Sequence, residues 1–199
     1  HIMDGLAAAR KNDVKGAGGF FVNFAKHAFT NAARATFYGL TNGYLSPKPH
    51  SGPDARFYQH INRFASSFAY TADVMMGYYQ AGLQRDERKS ALLGDVSANL
   101  YMASQVLRRW DYEGRQKDDI PLMQWAATYC LHNAETALNE LVDNLPAHLK
   151  SIVRPVVSPR LMVPMVGFDN RHHLRKPSHD LDDKVAKLVM TRGPARDRL

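Results

Sequence analysis

The chain has 199 residues, of which 45% are hydrophobic and 23% charged, and its formal net charge is +7. This balance is typical of a globular protein with a core of useful size and argues against an intrinsically disordered chain. No apolar run approaches the roughly 20 residues that a membrane-spanning helix needs. The single cysteine excludes a disulfide framework and any zinc site built from several cysteines, and it is compatible with a reducing cytoplasm.

The first 18 residues are expected to be a connector in front of the folded part. His1-Ile2-Met3 has the form of a tag remnant. The glycine-rich stretch 16–19 raises the question of a phosphate-binding loop. Such a loop needs a following Lys-Ser or Lys-Thr pair and a preceding strand, and the sequence offers neither. We therefore interpret 16–19 as a flexible connector into the first helix.

Apolar residues recur every three or four positions in four long segments, and this spacing predicts four amphipathic helices. The predicted helices cover about 19–40, 54–82, 86–113 and 119–145. Helix-start and helix-stop residues agree with these limits, with Asp54 and Asp118 as N-caps and Pro146 as a terminator. Four such helices with short connections predict an all-α fold, a four-helix up-down bundle over 19–146.

Three apolar residues, one from each of the last three predicted helices, are expected in the core of this bundle: Phe64, Leu100 and Leu138. Cys130 lies in the middle of the fourth helix. A cysteine in that position is more often a small buried apolar residue than a nucleophile, so we assign it to the core.

Residues 147–199 are predicted to form a basic, proline-broken C-terminal extension. Residues 151–199 contain ten Lys and Arg against five Asp and Glu, a net charge of +5. The apolar stretch 152–168 is interrupted by three prolines, so we expect it to run extended over a surface, as a strap or as a membrane contact. A short terminal helix is predicted near 180–190, where aspartates favour the N-terminus.

Two basic segments could contact phosphates of nucleic acid or of a nucleotide cofactor, Arg108-Arg109-Trp110 and the stretch 171–176. No nucleic-acid recognition motif accompanies them. We interpret both as solvated basic faces. A basic helical module that binds nucleic acid or an anionic membrane surface remains the alternative function.

Histidines raise the question of a metal site at two places. His172, His173 and His179 lack a third ligand at helical spacing, so we interpret them as part of a solvated basic segment. His132 and Glu135 stand in the reverse order of the Glu-x-x-His motif of di-iron bundles, and no second motif is present. The sequence therefore predicts no metal ligands.

Two carboxylates lie close to the predicted apolar faces of the second and third helices. Asp73 and Asp95 could act as general bases with raised pKa values if buried. We expect instead that each pairs with an arginine of a facing helix. The available arginines are Arg34, Arg63, Arg88 and Arg108.

Six stretches of the sequence resemble one protein family. They are FYGLTNG (37–43), FYQHINRFASSFAYTADVMMG (57–77), ERKSALLGDVSANLYMASQVLRRWDYEGR (87–115), DDIPLMQWA (118–126), AETALNELVDNLP (134–146) and PSHDLDDKVAKLVM (177–190). Together they resemble the C-terminal part of the bacterial long-chain acyl-CoA dehydrogenase of the FadE type.

The resemblance implies a FAD-dependent parent enzyme of fatty-acid β-oxidation. Such an oxidoreductase converts acyl-CoA into trans-2-enoyl-CoA, with a catalytic glutamate as base, and passes the electrons to an electron-transferring flavoprotein. Its core has a helical N-terminal domain, a middle β domain and a C-terminal four-helix domain. The FadE type adds the further helical region that this chain resembles.

The resemblance carries no catalytic or FAD-binding residue onto this chain. No strand pattern indicates a β domain, and none of the candidate glutamates sits in a matching motif: Glu87, Glu113, Glu135 and Glu140. We therefore expect an accessory domain that is inactive alone, with the remainder of the parent dehydrogenase as partner and a homo-oligomer as a further option. The expected location is the cytoplasm, with peripheral contact to the inner membrane as the option for 152–176.

Overall fold

The computed structural model describes residues 14–158, 174–191 and 193–197, and in these ranges the chain is helical without any strand. The predicted all-α class and the helical bundle are confirmed. The helices are α1 (Val14–Leu40), α2 (Ala55–Tyr79), α3 (Glu87–Tyr112), α4 (Ile120–Asp143), α5 (Ala147–Val157), α6 (His179–Met190) and the single turn α7 (Pro194–Asp197), with 3-10 turns at Gln80–Arg85 and Lys117–Asp119. None of the described helices is long and apolar enough to cross a membrane.

Local chemistry explains several helix ends. The Asp86 side chain accepts a hydrogen bond from the Lys89 backbone N–H and caps α3, and Ser178 caps α6 in the same way. Pro121 lies in the first turn of α4, where a missing N–H costs nothing. After α1 the chain reverses at Gly43, whose φ is +74°. A Cβ there would lie 2.7 Å from the carbonyl oxygen of Gln59, so only glycine fits.

Helices α1 and α2 run antiparallel. The Phe24 ring lies over Gly77 near one end of the pair, and Asn42, just after α1, meets Arg63 near the other. Helix α2 also packs on α3, α4 and α5, and α3 packs along α4. The main core fills the space between these helices and contains the three residues predicted to be buried. Phe64, Leu100 and Leu138 are 2%, 8% and 1% exposed, which confirms the predicted faces.

The structure corrects the expected connector at residues 16–19. Helix α1 begins at Val14, so these residues lie inside it. Glycine in a helix interior costs about 1 kcal/mol relative to alanine, but tertiary packing often overrides this intrinsic preference. In a helix of 27 residues, the favourable packing further along outweighs it.

The structure also corrects the extended conformation expected for the proline-broken segment. Residues 147–157 form α5, which contains Pro155. Its apolar side chains at spacings of four, Leu149, Val153 and Val157, are buried in the main core, and Pro155 faces outward. Pro155 removes one backbone hydrogen bond of the helix, and the burial of the three apolar side chains outweighs this loss. The core thus continues past residue 146, and residues 159–168 of the expected strap lie outside the described residues.

Candidate functional site

Buried polar side chains gather on one face of α2. His60, Arg63, Ser67 and Thr71 are all less than a tenth exposed, and their spacing of three, four and four residues places them on one face, which we call the polar seam. Three of them hold a buried atom without a hydrogen-bond partner in the described structure, His60 Nδ1, Arg63 Nε and Ser67 Oγ. A buried polar group normally finds a partner, so the seam is an unusual polar feature of the interior that the structure describes.

Arg63 is the charged centre of the polar seam. Its Nη1 donates to the Oδ1 of Asn42 at 2.6 Å, and its guanidinium lies 4.9 Å from the centre of the Phe64 ring. Burial lowers the pKa of Arg63, the nearby charge of Glu135 on α4 opposes this shift, and Arg56 adds to it. Arg63 is therefore held in the interior by a loop amide, and the negative charge of Glu135 favours its charged form.

His60 is held in its neutral form. Its ring stacks on Phe64 with the centroids 6.2 Å apart. Burial, followed by repulsion from Arg56 and Arg63, lowers the pKa of His60 to about 3. At neutral pH the imidazole is therefore uncharged, in a position where two arginines would repel a proton.

This shift predicts that the folded state loses stability in acid. Between the ordinary histidine pKa of 6.5 and about 3, the unfolded chain binds a proton that the folded chain does not. The free energy of unfolding therefore decreases as the pH is lowered through this window, by up to about 1.4 kcal/mol per pH unit. His60→Gln removes the group, so its unfolding free energy should fall less steeply between pH 6 and 4. The matched variant His179→Gln alters an exposed histidine and should keep the native slope; equal slopes in both variants would contradict the assignment.

His132 and Glu135 contact the backbone of a single residue. The Leu174 N–H donates to Oε2 of Glu135 at 2.6 Å, and the Leu174 carbonyl oxygen lies 2.5 Å from Nδ1 of His132. A spacing of three residues places both side chains on one face of α4, so they hold the two polar groups of a single residue. Trp125 on α4 donates to Asp182 on α6 at 2.6 Å, so α4 anchors the C-terminal segment at a second point.

No described cluster of three His, Cys, Asp or Glu side chains could hold a metal ion. His179 is exposed at the start of α6, and His172 and His173 lie outside the described residues.

Cys130 is buried and free, as predicted, and burial raises the pKa of its thiol. A raised pKa keeps the thiol protonated, which is the unreactive form.

The expected pairing of Asp73 with an arginine is wrong. Asp73 is buried between α1 and α2, where Nδ2 of Asn31 donates to its Oδ2 at 2.7 Å and Nε2 of His27 lies 3.8 Å away. The helix that faces Asp73 is α1, and it presents an amide and an imidazole at this level. Asp95 is exposed on α3, so its expected place beside an apolar face is also wrong.

The structure separates the residues of the first basic segment. Arg108 and Arg109 are exposed and Arg109 pairs with Glu113, whereas Trp110 is buried and donates to the Gln116 carbonyl at 3.2 Å. No shared surface of arginine and tryptophan forms. Arg175 and Lys176 are exposed, and residues 171–173 lie outside the described part.

Glu87 and Glu140, two of the remaining candidate glutamates, are exposed on different helices.

A third polar cluster was not predicted from the sequence. Asp54 is fully buried, and its Oδ2 lies 2.5 Å from Nε2 of His50. Nη2 of Arg115 donates to Nδ1 of the same histidine at 2.8 Å. Asp54 precedes α2 as predicted, but its side chain makes no capping hydrogen bond. The cluster ties the loop before α2 to the turn after α3.

The polar seam, the contacts of His132 and Glu135 with Leu174, and the contacts of His50 with Asp54 and Arg115 all connect helices and loops of this chain to one another. A model of the family described as acyl-CoA dehydrogenase, C-terminal, bacterial type, matches residues 1–199. No solved structure matches the chain. Because the match spans every residue, the chain belongs to the family of bacterial-type acyl-CoA dehydrogenase C-terminal domains.

Proposed function

We propose that this chain is an accessory, non-catalytic helical domain of a FAD-dependent acyl-CoA dehydrogenase of fatty-acid β-oxidation. The observation that carries the proposal is the match of the family model to residues 1–199. The parent would convert acyl-CoA into trans-2-enoyl-CoA and pass electrons to an electron-transferring flavoprotein. The domain would act in the cytoplasm as a folded partner that packs on the dehydrogenase core.

Three of the buried carboxylates of this chain support a structural role. Asp73 joins α1 to α2, Glu135 holds the backbone at Leu174, and Asp54 fastens the loop before α2 through His50. A general base must lie within hydrogen-bond reach of a substrate proton. These three carboxylates instead contact groups of their own chain in the interior.

The proposal predicts that the purified chain is colourless and does not bind FAD. The expected result of titrating FAD into the chain is a flavin absorption and fluorescence spectrum identical to that of free FAD. The full-length parent enzyme, purified in the same way, should carry a bound flavin and serves as the positive control. Stoichiometric flavin binding by the chain alone would contradict the accessory role.

A further inference from the structure

Helix α1 presents an apolar face that no described helix covers. Val22, Ala25, Phe29, Ala33 and Phe37 are all exposed, and their spacing places them on one side of the helix, which we call the α1 outer face. Phe29, at its centre, is 75% exposed. From residue 22 to residue 37 the face extends over about 22 Å, at 1.5 Å per residue.

The opposite side of α1 is the side that packs on this chain. In the described ranges α1 contacts α2 and α5. Asn31 and Ala35 are buried on this inner side, and Ala35 belongs to the main core. Two aromatic rings exposed in line on one helix face are uncommon on a free surface, and aromatic residues are enriched where proteins contact one another.

The charges of α1 indicate which surface fits. The helix contains no Asp or Glu, and Lys26 and Arg34 are exposed on or beside the outer face. Two copies of α1 placed face to face would bring cations together without any acidic partner on this helix. Charge complementarity instead favours an apolar surface bordered by carboxylates.

From this face and its charge we infer that the α1 outer face docks on an apolar, carboxylate-bordered patch of the dehydrogenase core of the parent chain. The inference rests on the proposed function, in which that core belongs to the same polypeptide. Covalent connection makes the contact intramolecular, so that a face of this size can stay docked at a high effective concentration.

Thiol labelling of one introduced cysteine at a time tests the docking in the full-length parent enzyme, and the native Cys130 of this chain is buried. Ala33→Cys places a small probe at the middle of the α1 outer face, and Ala98→Cys places the same change on the exposed side of α3. Labelling at Ala33→Cys should be at least about tenfold slower in the full-length enzyme than in the 199-residue chain, because a docked face opens only transiently. Labelling at Ala98→Cys should proceed at the same rate in both proteins.

Hydrogen exchange, measured over all peptides of the chain in both proteins, distinguishes a failure of this inference from a failure of the proposed function. An unprotected α1 with slowed exchange elsewhere would overturn the α1 assignment and leave the accessory role intact. Equal exchange throughout the chain in both proteins would overturn the accessory role together with this inference. Slow labelling of Ala33→Cys in the isolated chain, accompanied by a dimer in solution, would identify a second copy as the occupant and overturn the inference.

Discussion

Replacing Arg63 by methionine should lower the free energy of unfolding by about 1.5–3 kcal/mol, because it removes a buried hydrogen bond from a charged donor to the Oδ1 of Asn42. Arg63 donates to the buried Asn42, and the charge of Glu135 opposes the lowering of the Arg63 pKa by burial. Urea unfolding followed by circular dichroism measures the loss. The matched variant Arg34→Met changes an exposed arginine of α1 and should stay within about 0.5 kcal/mol of the native chain.

A double-mutant cycle separates the charge interaction from the other contacts of Arg63. Glu135→Gln removes the charge and keeps an oxygen that can accept from the Leu174 N–H. If the two residues interact, the combined variant should lose at least about 0.5 kcal/mol less than the sum of the single losses. Additive losses would show that Arg63 acts through Asn42 and through packing on Phe64.

Truncating the three core residues predicted from the sequence should destabilise the chain strongly. Phe64→Ala, Leu100→Ala and Leu138→Ala should each cost about 2–5 kcal/mol, the sum of lost burial and the cavity that remains. In a domain stabilised by about 5–15 kcal/mol this is a large share. Thermal melting measures the effect, and Ile152→Ala, which truncates an exposed residue of α5, is the control.

Melting temperatures that stay within about one degree of the native value in all three core variants would contradict the packing. A loss of 1 kcal/mol alone should shift the melting temperature of a chain of this size by about 2–4 °C. The control should show the small change expected of a surface position.

Periodicity predicted most of the fold because apolar spacing and helix-stop residues act locally. The faces of Phe64, Leu100 and Leu138 follow from that spacing, and the structure confirms them. Two local rules failed where packing outweighed them. Residues 16–19 are helical despite their glycines, and α5 contains Pro155 because its side chains at spacings of four bury well.

The partners of the polar residues could not be predicted, because they depend on which helices face each other. Asp73 was expected to meet an arginine, and the facing helix presents Asn31. The shared partner of His132 and Glu135, the backbone of Leu174, lies about forty residues away in the chain. Nothing in the local sequence around Glu135 indicates that partner.

The turnover of palmitoyl-CoA, measured with an artificial electron acceptor and added FAD, tests the central claim most directly. The 199-residue chain and the full-length parent enzyme are assayed side by side at equal concentration. Because the account assigns the chemistry to the core of the parent, it predicts turnover by the full-length enzyme and none by the chain. Formation of 2-enoyl-CoA by the chain alone would contradict it.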